Sequence, residues 1–78
     1  MHKYVCHKEV EAAKIHHIKY FAHASGAVLY LVNADSANVS QDFIDKHTPE
    51  PGGYLVRYED GYLSFSPAKA FEEGYTKL

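Results

Sequence analysis

The side chains most able to do chemistry crowd into the first third of the chain. Five of the six histidines, His2, His7, His16, His17 and His23, lie there with the single cysteine, Cys6. A zinc site needs three or four His, Cys or acidic ligands converging on one ion, and Cys6, His7, His16, His17 and His23 are the candidates. Their spacing matches no standard ligand pattern, and on a strand His16 and His17 point to opposite faces. Nucleophilic catalysis would pair Cys6 with a histidine, but His7 is its neighbour and turns away from it on a strand. Cys6 therefore reads as a small apolar residue packing at the start of a sheet. Glu59 and Asp60 fall at a turn and Glu72 and Glu73 on an exposed helix, where carboxylates stay solvated and keep no reason for the raised pKa of a general acid. No phosphate-cradling glycine loop, nucleophile elbow or paired-cysteine motif is present. The expectation is a protein that is not an enzyme and uses no metal or cofactor.

Binding chemistry is better represented. Seven tyrosines and four phenylalanines are a heavy aromatic load for 78 residues, and tyrosine buries a ring while keeping its hydroxyl wet. Leu55, Arg57 and Tyr62 fall on one face of the expected sheet, and that composition is typical of interface hot spots. A covering strand or helix explains the same three residues equally well. The second candidate is the basic segment holding Lys14, His16 and Lys19. Both segments offer the cations and stacking rings that an anionic nucleotide would use.

The elements that must position these residues follow from turn chemistry and periodicity. Asp60-Gly61 between the β-rich runs Tyr54–Glu59 and Tyr62–Ser66 predicts a two-residue type I′ hairpin. Tyr58 then faces Leu63, and Val56 faces Phe65. Tyr54, Val56, Tyr58, Leu63 and Phe65 share the buried face, while Leu55, Arg57, Glu59, Tyr62 and Ser64 share the other. Ser66-Pro67 predicts the start of a short helix, Gly74 its left-handed end with Tyr75 folding back on Ala70, and Phe71 its anchor. Ala27–Val32 is an apolar run of strand length that suits a central, doubly covered strand. Asp35–Asn38 turns the chain. Ser40 caps a helix over Gln41–His47, which Thr48-Pro49 ends. Glu9–Phe21 fits either a helical face or a strand. Its β-branched residues favour a strand with an irregularity near His16-His17, where Ile15 and Ile18 fall out of phase.

These elements make one small α+β domain over residues 1–78: a mostly antiparallel sheet of four or five strands, open or partly closed into a barrel, with a short C-terminal helix. Eight Lys plus Arg against ten Asp plus Glu give a net charge of −2, without the basic excess that nonspecific nucleic-acid binding requires. The charge is uneven, +2 over residues 1–24 and −4 over the rest. The lone cysteine and the lack of an early apolar run predict a reducing, intracellular setting without a membrane span.

The segments Lys3–Val10 with Ala13–Ile15, and Gly52–Tyr62 with Ser64–Tyr75, resemble a family of short proteins encoded by tailed phages and prophages. That resemblance implies the cytoplasm of the infected bacterial host. It also implies an accessory protein for host takeover or counter-defence, binding a host protein or sequestering an immune nucleotide as a homo-oligomer. The alternative is a structural or assembly protein of the virion, whose activity would be self-association.

Overall fold

The computed structural model describes residues 1–5 and 9–77. In chain order the elements are β1 (His2–Val5), β2 (Glu9–Tyr20), a 3-10 turn (Ala22–Ala24), β3 (Ala27–Leu31), β4 (Ala37–Val39), α1 (Gln41–His47), β5 (Tyr54–Arg57), β6 (Leu63–Ser66), α2 (Ala68–Gly74) and β7 (Thr76–Lys77). All the strand pairings described are antiparallel. The expected α+β architecture is the observed one, a curled antiparallel sheet with two short helices, one of them C-terminal. The roles foreseen for Cys6 and His7 lie outside the described residues.

β2 is the axis of the sheet. Its first half pairs with β1 and β5, and its second half with β3. The register against β3 shifts between Ile15 and His17, so His16 is the extra residue of a bulge. Val10 and Ala12 therefore point to one side while Ile15 and Ile18 point to the other, and the phase change in the sequence is the bulge itself. From β2 the sheet curls through β3 to β4 in one direction and through β5 to β6 in the other. β4 and β6 do not pair with each other. α1 lies on this side and lends Phe43 and Ile44 to the core of Ile15, Ile18, Ala27, Leu29, Val39 and Leu55. A second core, of Val10, Ala12, Tyr54, Val56 and Phe71, sits on the opposite side under α2.

The β5–β6 hairpin differs from expectation by one residue. Arg57 faces Leu63 and Val56 faces Ser64. Gly61 N–H donates to Tyr58 C=O and Tyr58 N–H to Tyr62 C=O, both at 2.9 Å. The loop thus has three residues, a turn followed by a bulge at Gly61 with φ +88°. Asp60 is not in the positive-φ region that a type I′ turn demands; its carboxylate instead accepts from Tyr62 N–H at 2.9 Å. The slip exchanges partners, so Leu63 and Phe65 join Leu55 in the first core instead of joining Val56. β5 is consequently buried on both faces.

Three smaller expectations change as well. β3 is covered on one side only, with Ala27 and Leu29 buried and Tyr30 exposed. Its turn comes early, at Val32–Ala34, with Asn33 at φ +58°, leaving Asn38 inside β4. At α2, Ser66 remains in β6, Pro67 is the N-cap, and Gly74 is the last helical residue without a positive φ. Tyr75 stacks on Phe71, with ring centroids 4.5 Å apart. α1 has the bounds read from the sequence, with the Ser40 hydroxyl accepting from Phe43 N–H and Thr48 ending it in a left-handed conformation.

Tyr54 links the second core to solvent. Its hydroxyl donates to Glu72 Oε2 at 2.8 Å. Burial, then this hydrogen bond and the charge of Glu72, push its pKa up to about 12. An unfolded tyrosine titrates near 10. Between roughly pH 10 and 12, the unfolded chain loses this proton while the folded chain keeps it, so stability falls with rising pH. Urea unfolding should show a lower midpoint at pH 11.5 than at pH 8, by less than the full shift would give because solvent at the hydroxyl screens part of it. Tyr54→Phe should remove most of that slope.

Candidate functional site

The residues expected to bind divide among three places. Leu55 is not at a surface: it is 1% exposed, because β5 is paired on both edges and covered on both faces. Arg57 is exposed but turns to Glu11 on β2, where Nε donates to Oε1 at 2.9 Å and Nη2 also reaches Oε1. The guanidinium holds the Glu11 carboxyl below the usual carboxylate range, first by hydrogen bonding and then by charge. The open groove of about 320 Å³ beside it also carries Glu9, Glu59 and Lys3, and Lys3 lies 3.4 Å from Glu9. Its cations have carboxylate partners within the groove, which is a poor environment for an anionic ligand.

Tyr62 faces the end of α1 and makes no described contact with Arg57. Its hydroxyl accepts from Lys46 Nζ at 3.0 Å and lies 3.4 Å from His47 Nε2, while the Lys46 ammonium stands 5.4 Å from the ring centroid. Burial, with a smaller contribution from Lys46, lowers the His47 pKa. This cluster fastens the β5–β6 hairpin to α1.

The basic segment forms the third place. Lys14, His16 and Lys19 are all exposed. Lys14 lies 3.7 Å from Glu72 and marks the border of the part covered by α2. Beyond it the same side of the sheet is bare. His17 is opposite Tyr30 and Lys19 opposite Val28, which is in turn opposite Asn38 of β4. The His17 and Tyr30 rings stack with centroids 5.9 Å apart. Tyr30 is 39% and Val32 43% exposed. Sequence reasoning found the cations but missed Val28, Tyr30 and Val32, since an unbroken apolar run does not reveal which side lacks a cover.

Among the described residues, no group of three His, Cys, Asp or Glu side chains is arranged to hold a metal ion. No described helix is long and apolar enough to cross a membrane.

The chain is similar to a phage decoration protein. The solved structure is the NMR solution structure of the monomeric form of the phage L decoration protein, at 33% identity and a TM-score of 0.66. The likeness covers 87% of this chain and 51% of that one, so the chain spans about half the length of its structural relative. No family model and no curated protein matches the chain. The phage setting implied by the sequence resemblance is supported by this likeness. The host-takeover or counter-defence role is overturned, because the similar protein decorates a phage. The likeness favours the virion structural alternative, and it lends no support to a host-protein or nucleotide partner.

Proposed function

We propose that this chain is a structural protein of a phage particle that works by binding, as a decoration-type module on the outside of the capsid. The observation that carries the reading is the likeness to the phage L decoration protein over 87% of the chain at 33% identity. It performs no catalysis. Its carboxylates serve as ion-pair and hydrogen-bond partners at Glu9, Glu11 and Glu72. It is made in the host cytoplasm and joins heads there, with self-association secondary to capsid binding.

The test is the composition of particles from the phage or prophage that encodes it. Density-gradient-purified virions analysed by quantitative mass spectrometry should contain the chain in many copies, and heads from a gene-deletion phage should recapture the purified protein on co-sedimentation. Virions free of the chain, together with deletion heads that do not bind it, would exclude the reading.

A further inference from the structure

From the bare side of the sheet, the geometry points to a capsid-docking surface formed by Lys19, His17, Tyr30, Val28 and Val32, fitted to an acidic, partly apolar patch on the shell protein. This rests on the decoration reading and adds which face binds and what chemistry it meets. The register places His17 and Lys19 of β2 beside Tyr30 and Val28 of β3, with Asn38 of β4 completing the row. An apolar column is thereby flanked by the Lys19 ammonium and the His17 ring. Lys19 makes no ion pair among the described residues. Glu72, at the border of this side, is already engaged by Tyr54 and Lys14.

Charge decides the occupant. A two-fold contact between copies would set this row, which contains no carboxylate, against itself and leave Lys19 without a partner. Nucleic acid would require many phosphate neutralisations, and this face offers few lysines beside exposed apolar area. An acidic protein surface satisfies Lys19 while burying Tyr30 and Val32, an aromatic anchor with a charged rim.

Co-sedimentation with heads of the gene-deletion phage tests the assignment. Lys19→Glu and Tyr30→Thr should each weaken binding about tenfold or more. Lys46→Glu makes the same charge change on α1, on the other side of the sheet, and should leave binding within about twofold. Both face positions are exposed, and threonine suits a strand. Circular dichroism and the unfolding midpoint will verify the fold, and a salt series on the unaltered protein should show binding weakening as salt rises. Unaltered affinity in both folded face variants would overturn the surface while leaving the decoration reading intact. Failure of the unaltered protein to bind heads would overturn both. Loss of a self-associated form in the face variants, with head binding preserved, would make the face a subunit contact and overturn the capsid assignment.

Discussion

Phe71→Ala should bring the protein close to unfolding at room temperature. Phe71 is 1% exposed and is the buried residue of α2. Its ring lies 4.3 Å from Tyr54 and 4.5 Å from Tyr75 in stacked geometry, and 4.7 Å from Tyr4 edge-on. Truncating a buried phenylalanine costs about 3 to 5 kcal/mol. At about 0.05 to 0.15 kcal/mol per residue, the whole protein has roughly 4 to 12 kcal/mol. A helix of seven residues does not hold itself together in water, so losing the anchor should free α2 and expose the second core. The urea midpoint should fall by roughly 2 M or more, since small proteins lose about 1 to 2 kcal/mol per molar urea. Phe71→Leu, which keeps most of the volume, should recover over half of the loss. A cost below about 1 kcal/mol for Phe71→Ala would mean that α2 does not seat this ring in the core.

Gly26→Ala should be among the most damaging changes outside the two cores. Gly26 has φ +119°, and an added Cβ would stand 2.5 Å from the Val39 carbonyl oxygen. The obstructing atom is backbone, held by pairing between β3 and β4, so it cannot swing aside. Gly26 also receives the Phe21 N–H on its carbonyl at 2.9 Å and donates its own N–H to Gln41 Oε1 at 3.2 Å. It therefore joins the β2–β3 connection to the start of α1. Strain at positive φ and overpacking should together cost about 3 kcal/mol or more. Gly61→Ala separates the two contributions, since Gly61 has φ +88° with nothing within 4 Å of an added Cβ. That variant should lose about 1 kcal/mol, and equal losses at the two positions would remove the steric argument.

Local chemistry made several elements legible in the sequence. Ser40 and Thr48 bound α1 because a cap and a left-handed stop are decided within one turn of chain. The bulge in β2 was visible because Ile15 and Ile18 must both reach a core and cannot do so in strict alternation. The hairpin register was less accessible, since Asp-Gly suits a two-residue loop or the end of a three-residue one. The choice between them moved Leu63 and Phe65 to the other side of the sheet. Leu55 was lost from the candidate surface for the same reason: one strand cannot announce that it will be covered twice. Lys14, His16 and Lys19 were recognisable by type, whereas their apolar neighbours on β3 emerged only through strand pairing.

The two cores share β2 and β5, and that sharing sets an order in time. β2 and β3 can meet early, joined by a short connection, but their apolar side has only Val39, Phe43 and Ile44 to cover it until β5 reaches Glu11 through Lys14, with Arg57 lying 46 residues beyond Glu11. β5 in turn needs α2 over Tyr54 and Val56. A chain emerging from the ribosome thus holds half-covered strands until Phe71 has left the exit tunnel, and only then can the second core be completed. Slow or interrupted synthesis between β3 and α2 leaves Ile15, Ile18 and Leu29 as a sticky surface, so the same long strand that unites the finished molecule is its point of exposure while it is being built.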